Sequence, residues 1–338
     1  MNTATSPCLL STVAVIAVLS CTRSGGPPPE PDANAADIAA SSFSPPSVPT
    51  VFSPGIISNE HEQWRITFTP DGRTAYFAES PEFFPATRQA HIYVSHLANG
   101  EWSTPEIAPF SGVHSDMDPF ITPDGRRLYF SSIRPAGGVG RDDLDLFVME
   151  MQPSGRWGEP ARLGPEVNSE ADELYASASA DGTLYFAAGP IRPQAGAHWD
   201  IYRAVPRGDG FAPRESLGEA VNSSPSPDDP SPVAAWDFNP EISPDGRTLV
   251  FTSLRPGGHG LGDLYVSRRT AEGWTPAENL GAPVNTDADE FHPTLSRDGQ
   301  ALYFVRRGPG RGDFYVVATG AVPALSANTR NQPPAGPR

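Results

Sequence analysis

Residues 291–305 read FHPTLSRDGQALYFV, in which a Ser-Arg-Asp-Gly turn separates two apolar segments. Similar turns recur along the 338-residue chain, and each of them ends in Asp-Gly. The five turns are TPDG at 69–72, TPDG at 122–125, SADG at 179–182, SPDG at 243–246 and SRDG at 296–299. Because glycine supplies the positive φ that closes a tight turn, each Asp-Gly predicts a connection between two antiparallel strands.

An apolar, aromatic segment follows every one of these turns. The five segments are TAYFAE (74–79), RLYFSS (127–132), TLYFAA (183–188), TLVFTS (248–253) and ALYFVR (301–306). Both faces of these segments are apolar, which is typical of a strand sandwiched between neighbouring sheets. A third segment follows, as in DLYVSRR (263–269), and a fourth ends in a shared pattern such as LGPEVNS (163–169) or LGAPVNT (280–286).

Four strands in a unit of 53 to 64 residues, the spacing of the turn aspartates, make up one propeller blade. A four-stranded sheet with two apolar faces has to stack against its neighbours. The sequence therefore predicts an all-β fold, a single five-bladed β-propeller with four-stranded antiparallel blades over residues 51–320. The fifth unit lacks its fourth segment, and PGIISN (54–59) resembles that segment. We expect residues 51–58 to supply the missing outer strand, so that the N-terminal strand closes the ring.

These units resemble TolB-type, WD-repeat-like propeller repeats, most clearly from Phe291 to Ser296 and from Gly312 to Val316. The resemblance covers residues 51–319 and implies a propeller fold. It also implies a bacterial envelope location, since TolB is a periplasmic partner of envelope proteins. It implies no particular activity, because propellers include binding modules and several enzyme classes.

The N-terminal segment is typical of an exported protein. Residues 9–20 (LLSTVAVIAVLS) form an apolar run of twelve, too short for a bilayer span but suited to a signal peptide over residues 1–20. The run ends in Val-Leu-Ser-Cys, which resembles a bacterial lipobox and predicts a lipid on Cys21. An ordinary signal peptide with an incidental Cys21 is the alternative. We expect a lipid-anchored monomer, at the outer membrane and facing the periplasm, with the lipid as its only membrane contact.

The regions flanking the repeats have a different composition. Residues 21–50 are rich in Pro, Ser and Ala, which predicts a tether after the lipidated cysteine. Residues 321–338 are similar and predict a disordered tail.

The formal net charge of -16 argues against nucleic acid as a partner, because an acidic protein repels phosphate. The charge does not exclude cations, basic protein segments or neutral glycans as partners. The sequence contains neither a Gly-x-Ser-x-Gly nor a His-Glu-x-x-His motif, and both cysteines lie within the first 21 residues. No cofactor is expected, although carboxylates of this kind could hold calcium.

Two positions of the repeat are the candidate ligand-binding residues. Eight residues before the turn aspartate stand Gln63, Asp116, Glu173, Asp237 and Glu290; six residues before it stand Arg65, Asp118, Tyr175, Asn239 and His292. Both positions belong to the innermost strand of a blade, so we expect the first set to surround the mouth of the central channel. The alternative is that the carboxylates only cap the links between blades.

Three hypotheses about function follow. The leading one is a non-catalytic module that binds an envelope protein segment or a glycan on this acidic face. The competing one is a glycosidase-like enzyme in which Asp116, Glu173, Asp237 and Glu290 supply the acid, the base and the orienting groups. The third is a structural spacer. Two loops with aromatic residues, at Phe83–Phe84 and at Trp236, are further candidate contacts, and Arg134 is expected to pair with Asp145 across its hairpin.

Overall fold

The structure, a computed structural model, describes residues 43–83, 87–135, 143–190, 198–224, 231 and 233–326. Five four-stranded antiparallel sheets account for nearly all of its secondary structure. The innermost strands contact one another in sequence, and the first of them also contacts the last, which closes a ring. The predicted five-bladed propeller is thus confirmed.

In the first four blades the strands follow one another in chain order from the axis outward, and in the fifth the N-terminal strand takes the outermost place. The first blade consists of β2 (Glu62–Phe68), β3 (Thr74–Ser80), β4 (His91–Ala98) and β6 (Glu106–Ile107), with the short β5 (Glu101–Trp102) also paired to β4. The second consists of β7 (Asp116–Ile121), β8 (Arg127–Ser132), β9 (Asp145–Glu150) and β10 (Ala161–Arg162).

The remaining blades have the same organisation. The third consists of β11 (Asp172–Ala178), β12 (Leu184–Gly189), β13 (Asp200–Ala204) and β16 (Glu215–Ser216), with a small hairpin of β14 (Pro206–Arg207) and β15 (Gly210–Phe211). The fourth consists of β17 (Asp237–Ile242), β18 (Thr248–Ser253), β19 (Asp263–Arg268) and β20 (Glu278–Asn279). The fifth consists of β21 (Asp289–Leu295), β22 (Ala301–Arg307), β23 (Gly312–Ala318) and β1 (Thr50–Val51).

The N-terminal strand closes the ring as predicted. In β1, Thr50 pairs with Val316 and Val51 pairs with Tyr315 on the neighbouring strand β23. The N–H of Phe52 adds a hydrogen bond of 2.7 Å to the carbonyl of Phe314. Closure therefore joins the two ends of the repeat region through backbone hydrogen bonds and leaves β23 without a free edge.

The structure continues beyond the predicted end of the repeats. A 3₁₀ turn (Thr319–Ala321) and one helical turn, α1 (Pro323–Ser326), follow β23. Val322 and Ala324 are buried against the core of the fourth and fifth blades, so the expected disordered tail does not begin at residue 321. No helix among the described residues is long and apolar enough to cross a bilayer. The predicted signal peptide, Cys21 and residues 327–338 lie outside the described residues.

The turns and loops divide the propeller into two faces. The Asp-Gly turns lie on one end of the ring, the turn face, and their glycines have the predicted positive φ of 66° to 84°. The links between blades and the loops after each second strand lie on the opposite end, which we call the link face. Between the faces, the apolar sides of adjacent blades pack together, as where Phe77 of the first blade meets Phe314 of the fifth edge-on at 5.8 Å.

Each innermost strand contains a one-residue bulge at the same place in the repeat. The register shifts lie between Trp64 and Ile66, Met117 and Phe120, Leu174 and Ser177, Phe238 and Glu241, and Phe291 and Thr294. Four of the bulged residues have a left-handed φ of 51° to 63°: Asp118, Tyr175, Asn239 and His292. A bulge re-aims a side chain, and here it determines which residues point toward the axis.

Replacing Phe52 with alanine tests the closure. Phe52 is buried and packs edge-on against Tyr303 at 5.1 Å and against Phe68 at 6.0 Å. We expect Phe52→Ala to lower the free energy of unfolding by about 3–5 kcal/mol, because it opens a cavity at the junction of the first and last blades. Urea denaturation followed by circular dichroism measures this. Phe43→Ala, which removes a side chain from a residue that is 55% exposed, is the matched control and should change the free energy of unfolding little. Equal losses of stability in both variants would contradict the role of Phe52 in closing the ring.

Candidate functional site

The five residues at the inner bulges meet in the central channel and fill it. Their relative exposures run from 0% to 7%, so the channel at this level is closed to solvent. These residues are the predicted channel set Arg65, Asp118, Tyr175, Asn239 and His292. The structure therefore brings this set together, while its part in ligand binding stays a prediction.

Arg65 crosses the channel from the first blade and binds the opposite side of the ring. Its Nη1 donates hydrogen bonds to the carbonyl oxygens of Tyr175, at 3.3 Å, and Pro240, at 3.2 Å. Its Nη2 forms an ion pair with Glu241, a buried carboxylate that the sequence analysis did not single out. The guanidinium also lies 5.4 Å from the ring centroid of Phe120. One side chain of the first blade thus contacts the second, third and fourth.

The remaining channel residues connect the fifth blade to the rest of the ring. Nδ1 of His292 lies 3.2 Å from the amide nitrogen of Asn239, and the backbone N–H of His292 donates to the Asn239 side-chain oxygen at 3.2 Å. Asp118 of the second blade approaches the same Nδ1 to 3.5 Å. The rings of Trp64 and Tyr175 pack edge-on against the imidazole at 5.4 and 5.5 Å. Together with Arg65, these contacts join all five blades at the axis.

The network contains two carboxyl groups and one guanidinium. Burial raises the pKa of Asp118 to about 7, and Arg65 opposes this only in part. Burial likewise raises the pKa of Glu241 to about 7 against the effect of Arg65. Burial also lowers the pKa of His292 well below its usual value, with Arg65 adding to the effect, so the imidazole is neutral. Since neither oxygen of Asp118 has a hydrogen-bond partner among the residues that the structure describes, Asp118 is the poorly stabilised carboxylate of the two.

The residues of the other predicted set lie at the start of the innermost strands, and the four carboxylates among them already have hydrogen-bond partners. Each of the four accepts a hydrogen bond or ion pair of 2.7 Å from an arginine: Asp116 from Arg134, Glu173 from Arg214, Asp237 from Arg255 and Glu290 from Arg306. All four carboxylate residues have a relative exposure of 0%. Gln63 instead binds the carbonyl of Ile57 and accepts from the N–H of Phe314 at 3.4 Å.

These carboxylates also cap the links between blades. The backbone N–H groups of Ser169, Ser223 and Thr286 donate to Glu173, Asp237 and Glu290 at 2.9, 2.6 and 3.0 Å. Burial raises the pKa of Glu173 and of Glu290, and the bonds to the link residue and to the arginine oppose it. This geometry corresponds to the capping alternative.

The guanidinium groups of the arginines that hold these carboxylates lie over aromatic rings of their own blades. The guanidinium of Arg255 lies 4.7 Å from the ring centroid of Tyr265, and that of Arg306 lies 4.7 Å from the centroid of Tyr315. Such stacking fixes the direction of the guanidinium. The expected pairing of Arg134 with Asp145 is wrong, because Arg134 binds Asp116 while Arg162 binds Asp145 at 2.6 Å.

Aromatic side chains surround the link-face end of the channel, and we call them the mouth cluster. Three are half-buried, namely Phe83, Trp236 and Phe238, and they pack against buried rings of Trp64, Tyr175, Trp199 and Phe291. Sequence reasoning noted Phe83 and Trp236 separately, as loop residues. It missed Phe238, since its position in the repeat is apolar in every blade and resembles ordinary core. Phe84 lies outside the described residues.

No group of three or more His, Cys, Asp or Glu side chains is placed to hold a metal ion in the part of the chain that the structure describes.

No protein-family model and no curated protein matches the sequence. Solved propeller structures are similar to it at low identity. TolB from Acinetobacter baumannii is 18% identical, covering 78% of this chain and 53% of its own, with a TM-score of 0.46. A structure assigned as TolB from Agrobacterium tumefaciens is 20% identical, covering 73% and 70%, with a TM-score of 0.43. The chain thus spans about half the length of the first TolB structure.

An α-L-arabinofuranosidase from Lactobacillus brevis is similar as well. It is 14% identical and covers 79% of this chain and 94% of its own, with a TM-score of 0.48. These likenesses to both TolB structures and a glycosidase assign neither an activity nor a ligand to this chain.

Replacing Asp118 with asparagine should stabilise the protein at pH 8 and change little at pH 5. The native state keeps the proton of Asp118 up to about pH 7, whereas the unfolded chain releases it near pH 4. The stabilising contribution of this proton is therefore complete below pH 4 and is lost as pH rises through about 7. The uncharged amide has no such dependence, and asparagine tolerates a left-handed φ. Thermal unfolding midpoints at pH 5 and pH 8 measure the difference.

Asp124→Asn, in the Asp-Gly turn of the same blade, is the control. Despite some burial, hydrogen bonds from Thr122 and the N–H of Arg126 hold the pKa of Asp124 below its usual value. Its stabilising effect therefore disappears only as pH falls below about 4, and this variant should keep the wild-type change between pH 5 and pH 8. An Asp118→Asn variant whose stability depends on pH as that of wild type does would contradict the raised pKa of Asp118.

Proposed function

We propose that this chain is a non-catalytic binding propeller of the bacterial envelope, whose ligand docks on the link face at the channel mouth. The ligand is a protein segment or a glycan. The observation that carries this proposal is that the carboxylates at the start of the innermost strands, which we call the inner carboxylates, are each buried and bound by an arginine. They are Asp116, Glu173, Asp237 and Glu290.

A carboxyl group that moves a proton during catalysis has to reach the substrate atom that gains or loses it. Glu290, for example, accepts bonds from Thr286 and from Arg306 and has no exposed surface. Using it as an acid or a base would require the removal of its arginine, which leaves a buried charge unpaired. Bonds of this kind support a structural role, in which the carboxylates hold the links that shape the binding face.

The competing glycosidase hypothesis now rests on the channel rather than on the inner carboxylates. A catalytic acid needs a raised pKa, and Asp118 and Glu241 have one. Both are nevertheless almost fully buried, at 1% and 3% exposure; His292 lies beside Asp118, and Arg65 binds Glu241. A substrate has no direct path to these carboxyl groups, which favours the binding hypothesis.

Glu290→Gln tests the structural role of the inner carboxylates against a catalytic one. We expect this variant to lose about 1.5–3 kcal/mol of stability, because it weakens a charged hydrogen bond to Arg306. We also expect neither wild type nor variant to hydrolyse chromogenic aryl glycosides or polysaccharides. Glu278→Gln, at an exposed glutamate, is the matched control and should unfold like wild type. Hydrolysis by wild type that Glu290→Gln or Asp118→Asn abolishes without unfolding would establish the glycosidase instead.

We also propose that a lipid on Cys21 holds the propeller at the envelope membrane, with the Pro-, Ser- and Ala-rich residues between Cys21 and the first blade contacts of the chain as the tether. The lipobox-like Val18-Leu19-Ser20-Cys21 sequence supports this proposal. Metabolic labelling with radioactive palmitate should mark the wild-type protein and leave Cys21→Ser unlabelled and soluble in the periplasmic fraction. Cys8→Ser, directly before the apolar run of residues 9–20, should be labelled like wild type. A labelled Cys21→Ser protein would refute the anchor.

A further inference from the structure

We infer that the mouth cluster binds a neutral oligosaccharide, whose sugar rings stack on Phe83, Trp236 and Phe238. This inference rests on the proposed binding function and names the chemistry of its ligand. It follows from three features of the link face: a supported aromatic surface, local charge balance, and unpaired polar atoms at its border.

The aromatic surface is held in place from below. Phe83 stacks on the buried ring of Trp64 at 5.4 Å with an interplanar angle of 24°. Phe238 lies 5.8 Å from Tyr175 and 6.0 Å from Phe291, both buried. A ring locked in this way loses little rotamer freedom on binding, and an aromatic surface suits the C–H groups of a sugar.

Trp236 extends the same surface above the third and fourth blades. Its ring lies 6.2 Å from that of Trp199, which in turn lies 6.2 Å from Tyr175. The rings of Phe83, Phe238 and Trp236 therefore belong to one aromatic cluster, contributed by the first and fourth blades and by the link before the fourth. A cluster that extends across several blades suits a ligand with several rings.

The charges around the mouth cluster compensate one another in pairs, although the whole chain has a net charge of -16. Arg307 lies 4.2 Å from the ring centroid of Phe83 and 3.3 Å from the carboxylate of Glu62. Arg88 lies 3.6 Å from Asp172, on the side of Tyr175. Local pairing leaves little electrostatic attraction for a strongly basic or strongly acidic ligand, and a neutral one is the better match.

The border of the cluster contains polar atoms without hydrogen-bond partners among the described residues. They are the donors Arg88 Nη2, Trp236 Nε1 and Arg307 Nε and the acceptor Asp172 Oδ2. A buried polar atom without a partner costs about 1–3 kcal/mol and is rare in folded proteins. Such atoms point to a ligand that completes their hydrogen bonds.

A sugar hydroxyl suits these unpaired atoms because it both donates and accepts. It can donate to the carboxylate of Asp172 and accept from the guanidinium of Arg88, which are 3.6 Å apart. The side chain of Arg88 keeps 28% of its surface exposed and that of Arg307 keeps 27%, so both arginines extend to the surface beside the cluster. The aromatic rings can contact the C–H face of a sugar, and the neighbouring donors and acceptors can bind its hydroxyl groups.

Isothermal titration of the full-length protein with neutral hexasaccharides tests the inference. The probes are β-1,4-linked glucose, β-1,4-linked N-acetylglucosamine and α-1,4-linked glucose, each followed also by tryptophan fluorescence. We expect at least one probe to bind, and Phe83→Ala and Trp236→Ala each to weaken its association constant by at least about tenfold. The matched controls are Phe211→Ala and Trp274→Ala on the turn face, which should bind like wild type once folding is confirmed.

A second arm separates this inference from the proposed function. Immobilised full-length wild type, Phe83→Ala and Trp236→Ala are compared for what they retain from protease-treated and untreated envelope extract. If no hexasaccharide binds and the retained ligand is destroyed by protease but lost in both variants, the saccharide inference is overturned while the binding function stands. If the variants bind every probe and retain every component as wild type does, both are overturned.

Discussion

The buried guanidinium of Arg65 is the interaction on which the arrangement of the blades most depends. A cation with no exposed surface at the axis of a ring has to be neutralised there. Glu241 supplies the opposite charge, and two carbonyl oxygens of the opposite blades accept hydrogen bonds from Nη1. Blades that otherwise meet through apolar sides are thereby fixed in one rotational position, since a polar network allows fewer arrangements than a hydrophobic contact does.

Backbone strain accompanies this network. Asp118, Asn239 and His292 are among the residues that tolerate a left-handed φ, but Tyr175, at 63°, is not. Such conformations cost on the order of 1 kcal/mol or more each and persist where the surroundings impose them. Here the bulge imposes them, and it directs toward the axis a side chain that a regular strand would place between two blades. The strain is therefore linked to the filling of the channel.

The repeats determined how much of this could be read from the sequence. Turn chemistry and doubly apolar strands were enough to predict five blades, and the likeness between residues 54–59 and the ends of earlier blades predicted the closure. The alignment on the turn aspartate also brought the right channel residues together. It could not identify their partners, because Glu241 stands at a position occupied by Thr67, Phe120, Ser177 and Thr294 in the other blades. It could not identify the arginines that hold the inner carboxylates either, since Arg214 comes from a different part of its blade than Arg134, Arg255 and Arg306.

The acidic composition and the character of the channel mouth are separate properties of the molecule. A count of aspartates and glutamates suggests a negative ring at the start of the innermost strands, yet each carboxylate there has an arginine that stacks on an aromatic ring. Pairing removes the long-range field of these charges, and burial keeps them from water. The net negative charge consequently resides on other parts of the surface, where it favours solubility. Near its axis the ring has aromatic side chains and paired charges, so at the proposed site shape and stacking would select a ligand more than charge would.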